Sequence, residues 1–148
     1  MADTNEDSIF DPSARPIYTQ AQLHTYLDRI CFPTTIRILL MTTPTSSKNS
    51  MIILSTLIKH HLCNIPFENL DLHYSSNKNI CLDHDHIFEK ILGSDSRRGG
   101  WCFENNLLFA TVLRTLRYDV LTTGARVNEA VQPMSDEKGW KGPRYSGW

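Results

Sequence analysis

Apolar residues upstream of Gly99 recur at helical rather than strand spacing. Leu23, Tyr26, Leu27 and Ile30 fall at i, i+3, i+4 and i+7, the stripe of a helix that turns one face to a core. Thr19-Gln20-Ala21-Gln22 just before them has the form of a capping box, and Pro33 ends the helix. The polar, Ser-rich stretch from Thr42 to Ser50 reads as a loop. A second helix is expected from about Met51 to Leu62, with Leu54, Leu57, Ile58 and Leu62 inward and Pro66 as its stop. Asp83 caps a third, short helix carrying Ile87, Phe88 and Ile91 and closed by Gly93.

The pattern changes at Gly99-Gly100. A helix follows them, with Phe109, Val112, Leu113 and Leu116 in register. Val120 to Val127 then alternates and is rich in β-branched residues, which predicts a strand. Asn128 to Gly147, with three glycines and two prolines, reads as loop, and the polar, proline-punctuated start as a flexible lead-in. A single strand leaves its backbone donors and acceptors without partners, so the pattern reads as an α+β domain cut short.

Composition narrows the class. The chain has 148 residues, 41% hydrophobic and 21% charged, with a formal net charge of −1, as in a globular protein. The charge favours neither nucleic acid nor an anionic membrane as partner. No stretch approaches the roughly 18 apolar residues of a membrane helix, and the acidic start is not a signal peptide. Four widely spaced cysteines, Cys31, Cys63, Cys81 and Cys102, form no disulfide framework and suit a reducing, cytoplasmic setting with a free thiol.

Cys102 is the candidate nucleophile. At a helix start, free backbone N–H groups and a partial positive charge lie beside the sulfur, a setting that suits a thiolate. Gly99 and Gly100 permit close approach of another backbone or a ligand, and Arg97 and Arg98 add positive charge. A helix beginning near Cys102 puts the thiol on one face with Asn106, Phe109, Leu113 and Leu116, toward a cleft or core. On position alone, a small buried hydrophobe is the simpler reading of such a cysteine.

Arg98-Gly99-Gly100-Trp101-Cys102-Phe103-Glu104 resembles the active-site signature of arylamine N-acetyltransferases. Ile65-Pro66-Phe67-Glu68-Asn69-Leu70 resembles that family's second hallmark, in the expected order. Gly124-Ala125-Arg126-Val127 is similar to the strand after the active-site helix, and Tyr26-Leu27-Asp28-Arg29-Ile30 and the long loop after Thr42 resemble fungal members. The resemblance implies an N-terminal helical bundle followed by the active-site helix and first strand of a β-barrel, with a cysteine-protease-like fold overall. The chain then divides into a lead-in (1–18), a helical bundle (19–96) and an incomplete barrel start (97–148).

The implied reaction is a ping-pong transfer, in which Cys102 takes acetyl from acetyl-coenzyme A as co-substrate and an aromatic amine or hydrazine attacks the acetyl-enzyme. By the same resemblance Glu68 and Arg98 form an ion pair bracing the cysteine loop, Asn106 supports it, and Phe67 lines the amine pocket. No metal takes part, and the protein is expected to be a cytoplasmic monomer whose partners are acyl-coenzyme A and the amine. The family pairs its cysteine with a downstream histidine and aspartate. All six histidines here precede Cys102, and Asp119 and Asp136 do not match the aspartate's place.

Three other readings stand beside this one. A family remnant could bind coenzyme A or a partner without turnover. Cys81, His84, His86, His60, His61 and Cys63 offer zinc-ligand atoms without any C-x-x-C pair. A cysteine at a helix start is also the arrangement of papain-like thiol hydrolases, although the Pro66-Phe67-Glu68-Asn69 element favours the transferase.

Overall fold

Six helices make up the regular structure of residues 15–42 and 47–125, which are the residues described in a computed structural model of the chain. The first, α1 (Gln20–Arg29), opens on the expected capping box. Thr19 Oγ1 accepts the Gln22 N–H at 3.3 Å and Gln22 Oε1 accepts the Thr19 N–H at 2.9 Å. Leu23, Tyr26, Leu27 and Ile30 are buried as the stripe requires.

Helix α1 ends before Pro33, at Cys31, whose φ of 52° lets the Cys31 N–H reach the Asp28 carbonyl at 3.1 Å and the Phe32 N–H the Leu27 carbonyl at 2.9 Å. Pro33 instead starts another helix. Its carbonyl accepts the Ile36 and Arg37 N–H groups, opening α2 (Thr34–Thr42), for which the pattern gave no signal. Only Leu40 of α2 is fully buried, and Ile38 faces outward.

The next helix, α3 (Ser47–Asn64), starts inside the expected polar loop and presents a different face. Ile53, Leu57 and His61 are buried, whereas Ile58 is exposed and Leu62 is 71% exposed. The reason is His61. Its ring hydrogen-bonds Tyr26 Oη at 3.1 Å and lies 4.8 Å, centroid to centroid, from the Phe109 ring, so a nominally polar residue occupies a core position.

A short α4 (Leu70–Tyr74) follows, then α5 (His84–Leu92) and α6 (Cys102–Thr115). Asp83 caps α5 by accepting the N–H groups of Asp85 and His86 at 3.1 and 2.9 Å. Helix α5 packs on α6 and α1, and α2 packs on α3. One apolar core joins Tyr26, Leu27, Leu57, Ile87, Ile91, Leu108 and Val112. Arg29, at the end of α1, ties this core to the loops: its guanidinium donates to the carbonyls of Asn64, Ile91 and Arg97.

The strand expected at Val120 to Val127 is not formed over residues 120–125, and positions 126 and 127 lie outside the described residues. No strand occurs among the described residues, and the Val120 carbonyl accepts from Arg15 Nη1 at 3.0 Å. The described part is a helical assembly, and no helix in it is long and apolar enough to cross a membrane.

Candidate active site

The site begins where two chain segments touch. Gly100 and Phe67 form a parallel bridge, in which the Gly100 N–H reaches the Pro66 carbonyl at 3.2 Å and the Glu68 N–H reaches the Gly100 carbonyl at 3.0 Å. Glycine is what allows it. A β-carbon on Gly99 would lie 2.0 Å from the Pro66 oxygen, and one on Gly100 would lie 2.6 Å from Asn105 Oδ1. The bridge places Phe67 and Glu68 beside the loop that leads into α6.

Trp101 occupies the N-cap of α6 in extended conformation. Its indole N–H can only donate, so the first-turn amides of α6 receive no side-chain acceptor from the cap. Glu104 reaches back instead, and its Oε2 accepts the Trp101 N–H at 2.8 Å. Cys102 is the first residue of α6 and is exposed, as are Cys31, Cys63 and Cys81. The fully buried side of α6 is Glu104, Leu108, Thr111 and Val112. The side with Cys102, Asn106, Phe109 and Leu113 lines an open cavity of about 1040 Å³, which Phe67, Leu82, Trp101 and residues 120–125 also border. The thiol's face therefore looks into a cleft rather than the core.

Charged groups gather under this loop. Arg98 Nη2 lies 2.8 Å from Glu68 Oε1 and 2.7 Å from Asp71 Oδ1. Lys90 Nζ lies 2.7 Å from Asp71 Oδ2, 3.3 Å from Glu68 Oε1, and 2.8 and 3.0 Å from the two oxygens of Glu104. Burial alone would lower the Lys90 pKa, but hydrogen bonds to Asp71 and Glu104 and the charges of Glu104 and Glu68 hold it above its ordinary value. For Asp71, burial pushes up, yet its bonds to Lys90 and Arg98 bring the carboxyl below the usual range. Arg98 is raised, first by its bond to Asp71.

The sequence-expected residues thus fall in three places. Glu68 and Arg98 meet as a pair, Phe67 stands at the cavity's edge, 62% exposed, and Asn106 lines the cavity, exposed. The carboxamide that holds the loop is the neighbouring one: Asn105 Nδ2 donates to the Gly100 carbonyl at 2.9 Å. Asp71, Lys90 and Glu104 were not anticipated. A signal existed for Lys90, which sits among Ile87, Phe88, Ile91 and Leu92 on an otherwise apolar face; a charge there requires a buried partner.

The zinc-ligand set does not converge. Among the described residues no group of three His, Cys, Asp or Glu side chains could hold a metal ion. His60 Nδ1 donates to the Ile30 carbonyl at 3.1 Å, His61 bonds Tyr26, and His84 Nδ1 bonds Thr111 Oγ1 at 3.2 Å. Burial lowers His61 to about 4, and burial followed by the charge of Arg114 lowers His84. Among the described residues no histidine lines the cavity.

The sequence is similar to those of known acyltransferases. The sequence is 39% identical over 137 residues to the N-malonyltransferase FDB2 of Fusarium pseudograminearum, covering 90% of this chain and 39% of that protein. It is 42% identical over 74 residues to the pineal gland arylamine N-acetyltransferase isozyme NAT-10 of Gallus gallus, covering 50% of this chain and 24% of the relative. A third match, 45% identical over 74 residues, is to the arylamine N-acetyltransferase / N-hydroxyarylamine O-acetyltransferase of Salmonella typhimurium, covering 50% of this chain and 25% of the relative. The chain therefore spans well under half the length of these relatives. The N-acetyltransferase family model matches residues 50–138, a stretch that holds Phe67, Glu68, Arg98 and Cys102 together. By that match and the two motifs that the Gly100–Phe67 bridge joins, the chain belongs to the arylamine N-acetyltransferase family.

Proposed function

We propose that the protein transfers an acyl group from acyl-coenzyme A to the nitrogen of an aromatic amine or hydrazine, with Cys102 as acyl carrier. The observation that supports this most is the placement of the thiol. It is the exposed first residue of α6, at the head of a face lining a cavity of about 1040 Å³, the upper end of the roughly 300–1,000 Å³ usual for ligand pockets. Phe67, Trp101, Phe103 and Phe109 make that cavity aromatic, a surface suited to a flat ring.

In the first half-reaction the Cys102 thiolate attacks the thioester carbonyl. Its sulfur–carbon bond forms, and the bond to coenzyme A breaks, with coenzyme A leaving as a thiolate. In the second, the amine nitrogen attacks the acyl-enzyme, the amide forms, the amine proton passes to a base, and the Cys102 thiolate is released. Lys90, Arg98, Glu68, Asp71 and Glu104 hold the loop and first turn on which the sulfur sits. The resemblance implies that a downstream histidine and aspartate serve turnover by the whole protein.

Acetyl and malonyl are both candidate acyl groups. The similarity to an N-malonyltransferase runs over 90% of the chain, whereas that to arylamine N-acetyltransferases runs over 50%. The test is incubation with acetyl- or malonyl-coenzyme A, followed by peptide mass spectrometry. The expected result is an acetyl or malonyl adduct on Cys102 that is absent from Cys102→Ser. No adduct from either donor overturns the reading.

A further inference from the structure

The buried charges under the cysteine loop are not equivalent. Arg98 serves two carboxylates, Glu68 and Asp71, and its side chain is 36% exposed. Lys90 serves three, and its partner Glu104 is fully buried. Glu104 in turn accepts the backbone N–H of Trp101, the residue before Cys102. A chain of contacts under 3.1 Å therefore runs from the Lys90 ammonium through one carboxylate to the cap of the helix that carries the thiol.

The Lys90 backbone works on the same loop from the other side. Its carbonyl accepts the Arg98 N–H at 3.1 Å, and also the Ser96 hydroxyl. One residue of α5 thus holds both the entry to the glycine pair and the turn that precedes it.

We propose that Lys90 is a positioning residue for Cys102, neutralising the buried Glu104 carboxylate so that this carboxylate can hold the first turn of α6 in place. It does not touch the reacting atoms; it acts through Glu104. No other cation contacts Glu104 among the described residues, so loss of Lys90 strands a buried negative charge two residues from the thiol. A stranded charge of that kind moves toward water or takes up a proton. Either response loosens the turn and removes the fixed geometry that a nucleophile requires. The bearing of this on acyl transfer rests on the function proposed above, but the thiol's own reactivity does not.

The test compares wild type, Lys90→Met, Glu104→Gln and the double variant Lys90→Met/Glu104→Gln. Each is treated with limiting iodoacetamide, and the alkylation rate of every cysteine is read by peptide mapping. The exposed Cys31, Cys63 and Cys81 serve as internal references. In Lys90→Met the Cys102 rate is expected to fall about tenfold relative to the references. In the double variant it returns to within about threefold of wild type, since the Gln amide oxygen still accepts the Trp101 N–H and no charge is left unpaired. Compensation of this kind is not expected of a lysine that only fills space.

An unchanged Cys102 rate in Lys90→Met overturns the proposal, and so does a loss that Glu104→Gln fails to rescue. Equal acceleration of all four cysteines means general unfolding and also counts against it. If Lys90→Met does not fold, the double variant decides: folded with a near wild-type Cys102 rate sustains the proposal, and folded but unreactive overturns it. Wild-type protein treated in parallel with acetyl- and malonyl-coenzyme A separates the two readings. Alkylation that responds to Lys90 without any acyl adduct removes the transferase function and leaves the positioning role standing.

Discussion

Gly100 is held against Phe67 by backbone hydrogen bonds to Pro66 and Glu68 on either side of it, which ties the residue two before the thiol to the aromatic residue at the cavity's edge. The contact tolerates no side chain on the adjoining Gly99, whose β-carbon would stand 2.0 Å from the Pro66 oxygen. Gly99→Ala is therefore expected to cost about 1–3 kcal/mol in urea unfolding, as overpacking does. Gly124→Ala is the control, since a β-carbon there meets nothing within 4 Å, and its effect should stay within about 0.5 kcal/mol. Equal effects at both positions would show that the bridge is not tight.

Cys102 should be the fastest of the four cysteines to react with limiting iodoacetamide at neutral pH. All four are exposed, so accessibility does not decide the order. The uncapped first turn of α6 does. Earlier modification of Cys31, Cys63 or Cys81 in folded protein would remove Cys102 as the nucleophile.

Phe67→Ala separates the two half-reactions. Phe67 borders the same cavity as Cys102. Formation of the acyl adduct should be little changed, while KM for an aniline substrate rises about three- to tenfold from the lost aromatic contact. An equal drop in both steps would assign Phe67 a structural part instead.

Arg98→Met removes one of the two side chains, with Lys90, that pair with both Glu68 and Asp71. Hydrogen bonds to charged groups contribute about 1.5–3 kcal/mol, and part of this is lost to solvent because Arg98 is partly exposed. The expected loss is about 1–2 kcal/mol by urea unfolding, with Lys90 left to hold both carboxylates. No measurable loss would mean that Lys90 alone suffices.

His61 gives the fold an acid-sensitive point. Burial lowers its pKa from the ordinary 6.5 to about 4, so the folded state holds the neutral ring beside Tyr26 and Phe109. A depressed folded value means that this stability is fully present above pH 6.5. It falls away as pH drops from there toward 4, by up to about 1.4 kcal/mol per pH unit. His61→Leu should lose stability at pH 7, because Tyr26 Oη loses its partner, and should flatten the slope between pH 6 and 4.5. Parallel slopes for the two proteins would rule His61 out as the cause.

Legibility in the sequence followed from how local each cause was. Helices α1 and α5 were readable because Thr19 and Asp83 cap them with neighbouring residues. Helix α2 was not, because Pro33 and the β-branched Thr34, Thr35 and Ile36 argue against a helix until packing holds it. The inward face of α3 was misassigned because His61 is polar by type and apolar by surroundings. The strand at Val120 depended on a neighbour that the described residues do not contain. Within the site, the two motifs brought Phe67, Glu68, Arg98 and Cys102 into view. Lys90 was marked only as a charge on an apolar face with its partners out of sight, and Asp71 stayed hidden because its partners lie on other elements, far along the chain.

Arg29 lies on α1, outside both motifs, yet its guanidinium gathers the carbonyls of Asn64, Ile91 and Arg97. The first two end α3 and α5, where a cation is favoured by the helix dipoles; the third immediately precedes Arg98. Each motif segment leaves one of these three points, so their separation is a distance measured across a single side chain. The outer surfaces of α3 and α5 can therefore drift in sequence at little consequence to the thiol, whereas shortening that one side chain resets the gauge on which the whole cleft is built.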